Sequence, residues 1–255
     1  MANTKILNAG DKLAAEYNKR LDVVLRRLDR QLVDIVSSTD AIGILNDRAA
    51  IIGALETSGY NALNAQYIAQ YEAFPQIVKD SMKARSIPLP QFTPADAEIF
   101  AGLARADLQA FTAIGRNAMD ELRIGLYKQA VSNQPFSALV RSIAAATVGV
   151  DGKGSPMANH ARTIANTAVL DFGGEVLRVS GENIFDQLGI PEDEQLWEAV
   201  GPIIDTSRQS CIDAIEDNVR TKAAWLQHTN EAGEPWWGGT PGGFNCQHQL
   251  FPVLR

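Results

Sequence analysis

Leu13, Tyr17, Leu21, Val24, Leu25, Leu28, Leu32 and Ile35 recur at steps of three and four along the first 36 residues of this chain. Only a helix, with about 3.6 residues per turn, brings such positions to one face; on a strand they would scatter over both. Lys19, Arg20, Asp22, Arg26, Arg27, Asp29, Arg30 and Asp34 fill the remaining face, with opposite signs spaced to meet along the helix. An apolar stripe of this length has to be covered. It packs on the chain's own core, or it docks on a partner through Leu21, Leu25 and Leu28.

Helical patterning continues through most of the chain. A second helical zone covers about 46–84, rich in Ala, Ile, Leu and Gln, with a break near Pro75. Ile87-Pro88-Leu89-Pro90 is excluded from helix, since each proline drives its predecessor towards extended geometry. Thr93-Pro94 restarts a helix, with threonine as cap, proline in the first turn and Asp96 near the positive end of the dipole. That helix is predicted to reach about Ser132, with Phe111, Leu122 and Leu126 along one side. Pro135 opens a short helix that the Val150–Gly154 turn ends, and Ser155-Pro156 opens another through about Val179. Beyond about residue 188 the periodicity fades, glycine, proline and aromatic residues become denser, and one helix is expected from Ser207 to about Glu216. The pattern predicts a mainly α fold: an elongated helical N-terminal body over 1–150, followed by a small C-terminal α+β module over 155–255.

Composition narrows the function classes. With 45% hydrophobic and 21% charged residues the chain has the makings of a packed core. No window approaches the length of apolar residues needed to span a bilayer, and no basic-then-apolar signal pattern opens the sequence, so assembly in the cytoplasm is expected. The net charge is −7, and it is uneven: from residue 182 onward there are twelve acidic and four basic side chains, while residues 1–181 are close to neutral. A protein whose main task is to hold duplex DNA needs a basic footprint, and this chain does not carry one.

The residues with chemistry gather near the C-terminus. If Phe244 to Leu250 is a strand, Phe244, Cys246, His248 and Leu250 share a face. Three readings of the cluster stand open. Cys211, His228, Cys246 and His248 have the ligand chemistry for tetrahedral zinc, although Cys-x-His is tighter than the usual knuckle and His228 sits alone in a loop. Cys211 and Cys246, the two cysteines, would close a disulfide in an oxidising setting. Or both thiols are buried as small hydrophobes, with His248 hydrogen-bonded inside the fold. Asp205 and Arg208 lie at a predicted helix start, where Asp205 or Thr206 caps the helix and Arg208 meets a carboxylate. Gly238-Gly239 and Gly242-Gly243 lack the lysine and following helix of a phosphate loop, and are read as turns around Trp236 and Trp237. Those rings, with Trp197 and Trp225, are the expected packing centre of the module.

The order of these residues is distinctive. Trp197 leads a short apolar segment; Asp205, Arg208 and Cys211 follow at three-residue steps; then come a Trp/Gly/Pro loop and Gly243, Asn245, Cys246 and His248 before a terminal apolar strand. Over 155–255 this resembles the C-terminal domain of the phage Mu F-like minor head proteins, and His160–Thr167 resembles that family's leading helix. Gln247 departs from the pattern, standing where a basic residue is usual, and Ile215–Asn218 replaces a customary glycine. The resemblance implies a minor capsid protein of a tailed bacteriophage, present in several copies at the head interior or head–portal junction. It would associate with the portal protein and other head proteins, close to the packaged DNA, and act in head morphogenesis and DNA ejection. It implies no enzymatic activity and no required cofactor. Two other readings remain: a zinc-stabilised module contacting DNA, and a hydrolase or toxin-like enzyme using Cys246, His248 and Asp205.

Overall fold

The computed structural model describes residues 3–205, 207–239, 241–242 and 246–254. Helix makes up 71% of the chain, and the described strands form one three-stranded antiparallel sheet near the C-terminus, so the fold is mainly α with a small C-terminal α+β module. The elements run α1 (Asn3–Ser37), α2 (Ala41–Asn46), α3 (Arg48–Ser58), α4 (Tyr60–Ala69), α5 (Phe74–Ala84), α6 (Pro94–Val131), α7 (Phe136–Thr147) and α8 (Pro156–Leu188). They continue as β1 (Leu196–Val200), α9 (Gln209–Glu216), β2 (Val219–Thr221), α10 (Lys222–Gln227) and β3 (Gln249–Val253). Among the described residues no helix is long and apolar enough to cross a membrane.

Local chemistry explains where the helices begin and end. Thr93 and Asp96 form a reciprocal capping box: Asp96 Oδ2 accepts from Thr93 N–H at 2.7 Å, and Thr93 Oγ1 accepts from Asp96 N–H at 3.2 Å. Ser155 Oγ accepts from Ala158 N–H at 3.0 Å and so caps α8. The expected zone over 46–84 resolves into three α-helices. Gly59, in a left-handed conformation at φ +91°, ends α3, and a 3-10 turn over Gln70–Ala73 precedes Pro75 in the first turn of α5. Helix α8 outruns its predicted end at Val179 by two and a half turns. Gly181 stays within the helix, and the Trp197 ring fills its missing side chain's space; a Cβ there would lie 2.3 Å from Cη2 of that ring.

The chain packs as two units. One consists of Ala14–Ala69 and Ala106–Ala165. Within it Tyr17, Leu21, Leu25, Leu28 and Leu32 of α1 are all buried to 2% exposure or less. The leucine face with Leu21, Leu25 and Leu28, the alternative docking surface for a partner, is therefore spent on the chain's own core. Tyr17, Tyr67 and Phe111 form a ring cluster with centroids 4.8 to 5.7 Å apart. Their polar ends are matched, with Tyr17 Oη donating to Asn64 Oδ1 at 2.8 Å and Tyr67 Oη donating to the Ala165 carbonyl.

The second unit comprises residues 1–13, Gln70–Arg105 and 166–255. Its sheet has the order β2-β1-β3, with β1 central and antiparallel to both neighbours. Alternation along β1 sends Trp197 and Ala199 into the core and Glu198 to the other face. There Arg85, just beyond α5, pairs with Glu198 and stacks over Phe251 of β3 at 4.6 Å. Strand β3 begins at Gln249, later than the predicted Phe244; Phe244 itself lies outside the described residues.

Candidate functional site

Four tryptophans organise the small module. Trp197, Trp225 and Trp236 are fully buried, and Trp237 packs against them. Trp225 and Trp236 stack with centroids 5.3 Å apart, Trp197 and Trp237 meet edge to face at 5.0 Å, and Trp225 Nε1 donates to the Trp197 carbonyl at 2.9 Å. The loop that delivers Trp236 is built by Asn230. Its side-chain oxygen accepts from Ala232 N–H and Glu234 N–H at 2.9 and 3.1 Å, closing a turn in which Gly233 takes φ +79°. Trp236 N–H then returns to the His228 carbonyl at 2.7 Å.

The glycine pair after Trp237 has two different tasks. Gly238 turns the chain at φ +113°. Gly239 runs against the backbone of α8: a Cβ on Gly174 would stand 1.9 Å from the Gly239 carbonyl oxygen, and one on Gly239 would stand 2.3 Å from the Asp171 carbonyl oxygen. Neither position has room for any side chain.

Beside this platform Cys211, Cys246 and His248 converge, with one ligand atom from each all lying within 4.8 Å of one another. Cys211 is the third residue of α9, while Cys246 and His248 lie in the irregular segment just before β3. His248 Nδ1 lies 3.3 Å from Cys246 Sγ, and the same sulfur accepts from His248 N–H at 3.4 Å and from Gly242 N–H. Both cysteines are free thiols, 4% and 3% exposed. A hydrogen bond from Cys246 lowers the pKa of Cys211 below the ordinary thiol value, more than burial raises it, and contact with His248 adds to the effect. The same thiol–thiol contact, followed by burial, raises that of Cys246. The two sulfurs titrate together rather than as independent groups.

Two residues from the predicted set stand apart. His228 Nε2 is 3.0 Å from the Ser210 carbonyl oxygen, and its ring meets one part of Trp236 at 5.5 Å while His248 meets the same ring at 5.8 Å. His228 does not join the sulfur cluster. Asp205 is exposed in the turn before α9 and caps nothing there, because the helix starts later, at Gln209. Arg208, at the cap position, donates to the Gly242 carbonyl at 2.6 Å, holding that glycine beside the two sulfurs. Thr206, Gly243 and Asn245 lie outside the described residues.

The carboxylate that does cap α9 is Glu231. It accepts from Ser210 N–H at 3.1 Å and from Ser210 Oγ at 2.9 Å. Burial nudges its pKa upward, but these bonds and the charge of Arg208 outweigh that and hold it below the usual value. Pattern reading missed Glu231 because it follows the helix start by some twenty residues, and capping signals are searched within three or four.

Comparison of the chain with protein-family models, with curated proteins and with solved structures found no match.

Proposed function

We propose that this protein is a minor head component of a tailed bacteriophage, bound at the portal or inner head wall and acting in head morphogenesis and DNA ejection. The observation that carries the reading is the ordered set Trp197, Asp205, Arg208, Cys211, Asn245, Cys246 and His248, which resembles the Mu F-like pattern in both residue type and spacing. Support comes from what the described members of the set do. Trp197, Arg208, Cys211, Cys246 and His248 are drawn from separate stretches of chain and spent on one packed, hydrogen-bonded module. Residues used in that way hold a shape, which is the requirement on a structural component of a particle.

Contact with the portal does not fall to Leu21, Leu25 and Leu28, which are already covered. The acidic balance beyond residue 182 suits a protein that lies near packaged DNA without adhering to it. Quantitative mass spectrometry of purified particles, scaled to the portal protein, tests the proposal. A fixed low ratio to portal is the expected result. Abundance in infected lysate with absence from mature particles would overturn it.

A further inference from the structure

We propose that Cys211, Cys246 and His248 bind a zinc ion as a three-residue Cys2His site that clamps α9 to the segment entering β3. This stands apart from the head-protein reading and would survive its failure. Tetrahedral zinc holds sulfur at about 2.3 Å and imidazole nitrogen at about 2.0–2.1 Å, which places neighbouring ligand atoms about 3.5–3.8 Å apart. The observed 3.3 Å between Cys246 Sγ and His248 Nδ1, and the 4.8 Å limit over all three atoms, need only side-chain adjustment to meet that.

The surroundings suit a metal thiolate. Cys246 Sγ receives two backbone N–H groups, from Gly242 and His248, and such donors stabilise sulfur that carries charge. Gly242 comes this close because it lacks a side chain: a Cβ there would lie 2.5 Å from Cys246 Sγ and 2.7 Å from Cys211 Sγ. His248 is 3% exposed, its Nε2 meets no hydrogen-bond partner among the described residues, and Nδ1 faces only sulfur. A bond to sulfur is a weak return for burying an imidazole, whereas coordination at Nδ1 supplies a strong one. Zinc with two thiolates and a neutral imidazole carries no net charge, as a buried site requires, and its binding releases to solvent the protons that the two sulfurs still carry. No fourth His, Cys, Asp or Glu joins the group among the described residues, so a water completes the tetrahedron.

The test is metal analysis of the full-length protein purified under reducing conditions without chelator, followed by cobalt(II) substitution. About one zinc per chain is expected, together with sulfur-to-cobalt charge-transfer bands and the intense visible bands of a tetrahedral site. His228→Ala should keep its metal, while His248→Ala should lose affinity by more than about tenfold. The proposal is overturned if the wild-type protein with both thiols reduced takes up neither ion, or if His228→Ala loses the metal. It is overturned equally if protein denatured without reductant yields no free thiols, for then a disulfide owns the pair. The cobalt spectrum needs no variant, so a cysteine mutant that fails to fold leaves the test intact.

Discussion

Gly174 and Gly125 are both helical glycines, in α8 and α6, yet their surroundings give one substitution opposite signs. Alanine is favoured over glycine in a helix interior by roughly 1 kcal/mol. At Gly125 nothing lies within 4 Å of an added Cβ, so Gly125→Ala should stabilise by about 0.5–1 kcal/mol. At Gly174 the added carbon meets the Gly239 carbonyl oxygen at 1.9 Å, and backbone on both sides cannot yield cheaply. Gly174→Ala should therefore destabilise by about 1–3 kcal/mol. Urea midpoints at unchanged slope measure both. The same scale marks the limit of sequence reading at the site. Cys211, Cys246 and His248 were recognisable by residue type, but which histidine joins the sulfurs was not. His228 and His248 both meet the Trp236 ring, but His228 Nε2 turns to the Ser210 carbonyl and His248 Nδ1 to Cys246 Sγ.

Among the elements, α6 shows how a cap turns into a pH response. Burial would raise the pKa of Asp96; the bond from Thr93 N–H, and then those from Asn183 and the Thr93 hydroxyl, outweigh it and lower the value. A carboxylate whose folded pKa is depressed contributes its stability above its unfolded pKa and loses that contribution as pH falls through the folded value. Asp96→Ala is thus expected to cost about 1 kcal/mol near neutral pH, and the gap to wild type should close in acid, below the ordinary carboxylate range. Denaturation at a series of pH values reads this directly. Elements of this kind were legible because their signals are local: Thr93-Pro94, Ser155-Pro156 and the α1 stripe each lie within a few residues of what they specify. The capping of α9 and the run of α8 past Val179 were not, because Glu231 reaches the first turn of α9, and Trp197 packs on Gly181, from later parts of the chain.

For the molecule as a whole, charge makes the sharpest forecast. At a net −7, with its acidic excess beyond residue 182, the protein should show no salt-sensitive affinity for duplex DNA. Fluorescence anisotropy with a labelled duplex at low ionic strength checks this, and clear binding that fades with salt would favour a DNA-contacting module over a bystander. Fold class was readable from periodicity alone, since helical stripes dominate the sequence. The partition into units was not, because it depends on which distant segments meet. Residues 1–13 share a unit with 166–255, whereas the other unit is complete by Ala165. On a ribosome, which extends a chain from its N-terminus, the unit ending at Ala165 has all its parts while 166–255 are still being made. The sheet-bearing unit, by contrast, draws on the opening turns of α1 and cannot complete its sheet until β3, the last of its described elements in chain order, has been made, so its pairings are the long-range ones that fold slowly.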